Sequence, residues 1–324
     1  MKLIPLGNDA TTHVSELCLG AMYFGTRIDE TTSFAILDRF VEAGGNFIDT
    51  ANCYCFWTDP GTGDESERLL GRWLRSRGLR DRVVLASKVG AQIVDPGRPY
   101  SAYNREGLAA ATIKAQAAKS LRHLGVDRLD VYYSHVDDRA TALAETLRAF
   151  GELVAHGDVG VVAASNYATW RLALARDLAR RDGYPLFRAV QMRHSYLEAR
   201  PFRGAIAEAS QIPVTPELLD YASADGELSV LAYSVLLEGA YTRADRALPP
   251  DYATPGADRR MAVLHAVAAE LGATPNQVVL AWALQGKVPV SPVLGVSSVA
   301  QLDEALAATA LRLDEATMQR LNAA

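Results

Sequence analysis

Cysteine is scarce in this chain: Cys18, Cys53 and Cys55 are its only three in 324 residues. Three thiols cannot build a disulfide framework, and Cys53-Tyr54-Cys55 lacks the second ligand pair that a structural zinc site needs, so no metal is expected. A reducing, cytoplasmic setting follows. No run of about 18 apolar residues occurs, which argues against a membrane-spanning helix. The segment Met1-Lys2-Leu3-Ile4-Pro5-Leu6-Gly7 has none of the long apolar core of a signal peptide. Basic residues are not in excess, with 33 Lys and Arg against 38 Asp and Glu and a net charge of −5. The charges are interspersed, so a nucleic-acid partner is not expected. Internal repeats and disordered linkers are also missing.

What is present is ordinary globular material, 49% hydrophobic and 22% charged, in a chain long enough for a large core. Short β-rich runs alternate with amphipathic stretches, the signature of parallel βα units. Strands are expected at 17–22, 46–51, 83–89, 129–135, 159–165, 188–194, 228–234 and 289–295. Helices are expected at 31–43, 65–77, 105–124, 140–156, 168–181, 258–285 and 299–310, and an opening hairpin over 2–17. The segment 201–225 reads as helical but broken by Pro213 and Pro216. Eight strands with intervening helices make an α/β protein, a single (β/α)8 TIM barrel over 1–324 with an N-terminal β-hairpin. A doubly wound open sheet is the runner-up. It wants a Gly-rich turn after its first strand, and Leu19-Gly20-Ala21-Met22-Tyr23-Phe24-Gly25 is not a G-x-G-x-x-G. Two long connections, 92–104 and 236–257, follow strands and so border the barrel mouth.

Three strand-like runs end on residues that carry chemistry. Asn46-Phe47-Ile48-Asp49 leads through Thr50-Ala51-Asn52-Cys53 to Tyr54; Val83-Val84-Leu85-Ala86-Ser87 ends on Lys88; and Leu129-Asp130-Val131-Tyr132-Tyr133-Ser134 ends on His135. In a parallel barrel, side chains at these C-terminal ends converge on the mouth, where barrel enzymes place their active sites. A phenol is a reluctant acid near neutrality. An ammonium beside it favours the phenolate, and a buried Lys88 needs Asp49 as its counter-ion. His135 is suited to hydrogen-bond a substrate oxygen or to share the proton relay. Each residue also has a structural reading: Asp49 as a cap or ion-pair member, Lys88 as a core ion pair, Tyr54 as packing, His135 as a hydrogen-bonded structural group. Together, at the ends of three successive strands, they form a plausible tuned acid.

With these motifs in hand, the chain resembles the aldo-keto reductases over nearly its whole length. The resemblance rests on Asn46-Phe47-Ile48-Asp49-Thr50-Ala51, Gly63-Asp64-Glu65-Ser66-Glu67 with Leu70-Gly71, Ser87-Lys88-Val89-Gly90 and Tyr132-Tyr133-Ser134-His135. It is similar to bacterial members and to the branch of aldehyde reductases and channel β-subunits. The resemblance implies that Asp49, Tyr54, Lys88 and His135 are a catalytic tetrad with Tyr54 as general acid. It also implies a nicotinamide cofactor extended across the mouth, NADPH with NADH possible. Ser165, Asn166 and Gln191 would hold the carboxamide, although Ser and Asn at such a place also cap helices. Tyr233 would stack on the nicotinamide, with Ser234, Leu236 and Gly239 along the pyrophosphate. Gly295, Ser297, Gln301 and Glu304 would form the adenine-ribose segment, where a helix N-terminus suits a phosphate. The chain departs from relatives at Val235, at Ala305, and at Ser297 and Ser298, where Lys or Arg is common. Arg243 is the candidate substitute cation for a 2′-phosphate, which favours arginine, and its structural reading is an exposed loop arginine.

The mouth is expected to be lined by Met22, Tyr23, Tyr54, Phe56, Trp57, Arg98, Tyr100 and His194, a wall that suits a small-molecule carbonyl or sugar substrate. The expected function is NAD(P)H-dependent reduction of an aldehyde, ketone or keto-sugar to an alcohol. Two alternatives are a Schiff-base lyase or aldolase on Lys88 and a nucleotide-binding regulatory subunit. A homo-oligomer is compatible with the sequence.

Overall fold

The computed structural model describes residues 1–58, 61–200 and 211–324. A two-stranded antiparallel sheet, β1 (Leu3–Leu6) and β2 (Asp9–Ser15), precedes a closed barrel of eight parallel strands. These are β3 (Cys18–Gly20), β4 (Phe47–Asp49), β5 (Val84–Val89), β6 (Leu129–Ser134), β7 (Val159–Ser165), β8 (Ala189–Arg193), β9 (Ser229–Tyr233) and β10 (Val290–Leu294), with β10 closing onto β3. All eight expected strands and the hairpin are present, so the architecture is a (β/α)8 barrel.

The helices are α1 (Glu30–Glu42), α2 (Glu65–Arg77), α3 (Ala110–Leu124), α4 (Leu143–His156), α5 (Thr169–Asp182), α6 (Pro216–Asp225), α7 (Ala257–Glu270), α8 (Pro275–Leu284), α9 (Val299–Ala307) and α10 (Glu315–Asn322). In α4 the buried positions Leu143, Leu147, Phe150 and Leu153 recur at helical spacing and face the barrel. Four differences from the sequence reading have local causes. The stretch 258–285 is two helices, because Gly272 takes a left-handed φ of 61° and Thr274 starts α8 in a reciprocal capping box with Gln277, with Pro275 in the first turn. Helix α3 starts at 110 rather than 105, because Arg105 pairs with Ile93 in an antiparallel bridge and Gly107 has φ 71°. Pro216 opens α6 behind a Thr215 cap, and Pro213 bridges Arg193; residues 201–210 of the expected 201–225 helix lie outside the described residues. Helix α10 was not anticipated.

Strand alternation separates two cores. Ile48, Leu85, Tyr132, Val162, Val190 and Val230 point outward into the layer beneath the helices. Their neighbours Phe47, Ala86, Val131, Tyr133, Ala163, Ala189 and Leu231 fill the barrel interior together with Leu6 and Val14 of the hairpin. The hairpin thus covers the N-terminal ends of the strands. Its turn residue Gly7 has φ 60°, donates its N–H to Ser229 Oγ at 2.8 Å, and a Cβ there would meet the Arg188 carbonyl at 2.2 Å. Only glycine fits that contact.

Candidate active site

The inward phase of the strands, continued one pleat past the interior core, delivers Asp49, Lys88, His135, Ser165 and Gln191 to the C-terminal mouth. Asp49 and Lys88 are fully buried, and Tyr54 is nearly so. Lys88 Nζ is bonded to Asp49 Oδ2, to the Thr50 carbonyl at 2.9 Å and to the Tyr54 hydroxyl at 2.6 Å. These three bonds use all the N–H donors of the ammonium. Tyr54 donates to Asp49 Oδ2 at 3.2 Å, and Gln191 Nε2 donates to Asp49 Oδ1 at 3.2 Å. The carboxylate therefore serves as counter-ion, phenol acceptor and anchor for Gln191 together.

This arrangement sets the phenol differently from the sequence expectation. Burial, followed by the Asp49 charge, pushes the Tyr54 pKa well above its ordinary value. The nearby ammonium is spent on Asp49 and does not win; Tyr54 is held protonated, the form a general acid requires. His135 lies edge-on to the Tyr54 ring, with centroids 5.9 Å apart. Burial, then the charges of Lys88 and Arg105, push its pKa well below the usual imidazole range, so it is neutral. Its Nδ1 is 3.5 Å from Cys53 Sγ, and burial raises that thiol's pKa so that it remains S–H.

The amide-bearing residues also come together. Ser165 Oγ donates to the Gln191 carbonyl at 2.7 Å, and Asn166 Nδ2 donates to Ser165 Oγ at 3.1 Å and to the His135 carbonyl at 3.0 Å. Asn166 Oδ1 accepts from the Ile212 N–H at 3.2 Å and from the Tyr233 hydroxyl at 2.7 Å. Asn166, at φ 58°, thus has both N–H groups and both lone pairs engaged within the chain. Ser234, Leu237 and Glu238 also take positive φ values of 59°, 48° and 57° in the loop after β9. Non-glycine residues held this way are costly, and here they gather at the mouth.

The adenine-ribose candidates are more dispersed. Gly295 faces open space, and a Cβ there would touch nothing within 4 Å. Ser298 caps α9, its side chain accepting from the Gln301 N–H, while Ser297 donates from N and Oγ to Gln301 Oε1 at 2.8 and 3.1 Å. Glu304 accepts from Thr274 Oγ1 at 2.6 Å and from Asn276, which also reaches Thr242 in the loop after β9. Leu236 precedes a short 3-10 turn over Leu237–Gly239. Gly239, at φ 91°, lies under the Arg243 stem, and Arg243 itself is exposed and clasped by Asp245 at 3.0 and 2.5 Å. The substitute cation thus already has a counter-ion.

Of the expected wall, Met22 and Phe56 pack with Tyr54, Cys53 and Val136, and Phe56 meets Trp57 edge-on at 5.0 Å and Tyr100 at a tilt at 5.5 Å. Three expectations are corrected. His194 is turned outward by the alternation that turns Gln191 inward; it stacks on Trp282 of α8 at 5.4 Å. Tyr23 packs into the outer core beneath Arg27, and Arg98 is solvent-exposed on its loop. Sequence reasoning missed Arg105, Cys53 and the Thr50 carbonyl. Cys53 was within reach as the residue before Tyr54, whereas nothing in the sequence singles out Arg105.

The aldo/keto reductase family profile matches residues 16–324. An uncharacterized oxidoreductase, YrpG, of Bacillus subtilis is 31% identical over 319 residues, covering 95% of this chain and 91% of that protein. Norsolorinic acid reductase stcV of Emericella nidulans is 31% identical, covering 94% and 77% of the two chains. Aryl-alcohol dehydrogenase GME11368 of Pestalotiopsis microspora is 29% identical, covering 98% and 80%. A match that spans nearly the whole chain, on a barrel with this mouth, places it plainly: the protein belongs to the aldo/keto reductase family.

Proposed function

We propose that this oxidoreductase reduces the carbonyl of an aromatic aldehyde or ketone, with Tyr54 supplying the proton and NADPH the hydride. The observation that carries the reading is the Tyr54 hydroxyl, held between Lys88 Nζ at 2.6 Å and Asp49 Oδ2 at 3.2 Å and kept protonated beside a neutral imidazole. A carbonyl oxygen entering between Tyr54 and His135 receives two hydrogen bonds that strengthen as negative charge builds on it. As the phenol proton moves, Lys88 stabilises the phenolate left behind, so the ammonium acts on the product side of the transfer. The Phe56, Trp57 and Tyr100 wall and the similarity to an aryl-alcohol dehydrogenase and a norsolorinic acid reductase support an aromatic substrate.

The residues fit a nicotinamide dinucleotide. Ser165, Asn166 and Gln191 form one polar cluster against Asp49 and His135; a carboxamide would bond Ser165 and Gln191 there and would have to displace an internal partner to bond the Asn166 amide. Open space at Gly295 next to the α9 N-terminus suits a phosphate. When bound, the nicotinamide supplies the hydride; Tyr233 flanks its pocket and Glu304 closes the adenine end. NADPH is preferred if Arg243 exchanges Asp245 for the 2′-phosphate; NADH is the alternative. The three occupied bonds of Lys88 weigh against its use as a Schiff-base nucleophile.

The test follows NADPH absorbance with 4-nitrobenzaldehyde for wild type and Tyr54→Phe. Turnover in the wild type and its loss in the variant are expected; a variant that turns over normally would falsify the proton assignment.

A further inference from the structure

Arg105 is a cation that makes no close ion pair among the described residues; the side chains that feel its charge are Tyr100, Asp138 and His135. It follows the 92–104 loop, bridged to Ile93, and its Nη2 donates to the Asp137 carbonyl at 2.6 Å, two residues past His135. Its Nη1 is buried and donates to nothing. Among the described residues, no carboxylate lies within 4.0 Å of the guanidinium. The three nearby acids take other partners, although Glu106 Oε2 is itself buried without one. Asp137 pairs with Arg139 and with Arg171 at 3.0 Å. Asp138 accepts from Leu108 N, Ala140 N and Thr141 Oγ1. Glu106 Oε1 accepts from Asn52 at 2.8 Å and Gly90 N at 2.7 Å. A buried N–H without an acceptor is rare enough in folded proteins to call for an explanation.

The direction of this charge is also defined. Arg105 acts on two groups of the cleft, lowering the His135 pKa and opposing the rise of Tyr100 to about 12. Tyr100 packs tilted against Phe56, so the Arg105 charge acts on a residue of the aromatic wall and on the imidazole alike. The loop carrying that wall is fixed from within by Asn104, whose Nδ2 donates to the carbonyls of Asp95, Arg98 and Pro99.

We propose that Arg105 is a specificity-determining residue that receives a carboxylate on the substrate, making aromatic aldehydes or ketones that bear a carboxylate the preferred class. The ring lies along Phe56, the carbonyl meets Tyr54 and His135, and the carboxylate takes the N–H that Asp137 leaves over. Tyr100, 36% exposed, yields its place beside the guanidinium as the anion enters. Arginine is suited to this task because its charge is permanent and its planar fork can hold Asp137 and a carboxylate at once. This inference rests on the carbonyl-reduction reading.

The experiment compares wild type, Arg105→Gln and Arg105→Lys with NADPH on ortho, meta and para carboxybenzaldehyde and on the matching nitrobenzaldehydes, near-isosteres without charge. Losing a charge-assisted bond lowers kcat/KM by about ten- to a hundredfold. Arg105→Gln is expected to lose that much on at least one carboxylated isomer and to stay within about threefold on its nitro partner. Arg105→Lys recovers part of the loss. The acid limb of the pH profile moves up in Arg105→Gln, because a charge that suppresses His135 protonation is gone. If Arg105→Gln fails to fold, benzoate and nitrobenzene are compared as inhibitors of the wild type: benzoate alone should compete with aldehyde. An unchanged carboxylate-to-nitro ratio at every isomer, or no competition by benzoate, overturns the assignment. Nitrobenzaldehyde turnover with an unchanged ratio counts against Arg105 alone, whereas no turnover of any nitrobenzaldehyde counts against carbonyl reduction itself.

Discussion

Replacing Asp49 by Leu leaves the Lys88 ammonium buried with only the Thr50 carbonyl and the Tyr54 hydroxyl around it. Breaking a buried pair from one side costs about 3–5 kcal/mol. Unfolding entropy near the melting point is about 2.1 cal/mol/K per residue. Over 324 residues that makes about 0.7 kcal/mol/K, so Tm should fall by roughly 4–7 °C. Lys88→Met strands the carboxylate instead and should cost a similar amount. The double variant Asp49→Leu/Lys88→Met removes both charges and substitutes apolar volume, which is often neutral or stabilising. It should melt within about 3 °C of wild type, far above the sum of the two losses. Differential scanning calorimetry on the four proteins closes the cycle. Additive losses would refute the reasoning, because they would mean that neither charge depends on the other. The Asp49→Leu single variant has a second readout: with the carboxylate gone and the ammonium retained, the Tyr54 phenol should ionise at lower pH. Tyrosinate absorbance measured against an Asp49→Leu/Tyr54→Phe reference reports it.

Tyr54→Phe should cost at least about a hundredfold in turnover, the usual scale for a general acid, while intrinsic-fluorescence titration finds nucleotide binding nearly intact. Gln191→Ala should weaken or misorient the cofactor; unchanged affinity and unchanged hydride stereochemistry would remove Gln191 from the site. Acid should destabilise the fold from below about pH 6.5, the unfolded imidazole value, because His135 and His194 stay neutral when folded and take up protons on unfolding. His194, pushed down to about 4 by burial and Arg260, should contribute up to about 2 kcal/mol of this loss at pH 5; in urea titrations at pH 5 and 7, His194→Phe should flatten the difference. Asp245→Ala, which frees Arg243, should tighten NADPH relative to NADH, and Arg243→Ala should bring the two dissociation constants together; equal ratios in both variants would exclude Arg243 from phosphate recognition.

The barrel was legible because parallel strands leave a two-residue rhythm bounded by turns, and that rhythm also placed Asp49, Lys88 and His135 at one end. The same rhythm, carried on from Gln191, turns His194 outward, against its assignment to the mouth. Side chains delivered by loops were a different matter. Arg105 reaches the cleft only because an antiparallel bridge to Ile93 displaces the start of α3, a tertiary event without a local signature. The state of Tyr54 was equally hidden, since the order of residues does not reveal whether ammonium or carboxylate dominates its field. Arg243 and Asp245, two residues apart, were a readable pair, although their mutual bond depends on the turn that follows Gly239.

The hairpin makes the barrel a vessel with a single door. With Leu6 and Val14 seated among the interior side chains and Gly7 pressed against the Arg188 backbone, the hairpin stoppers the N-terminal end. On the proposed function, cofactor and substrate share the opposite opening, and whichever lies deeper has to arrive first and leave last. Ser165, Asn166 and Gln191, proposed to hold the nicotinamide and joined to Asp49 through Gln191, would make the cofactor the deeper layer. On that proposal a compulsory order of binding is the expected outcome of the architecture, with product departing before cofactor exchange.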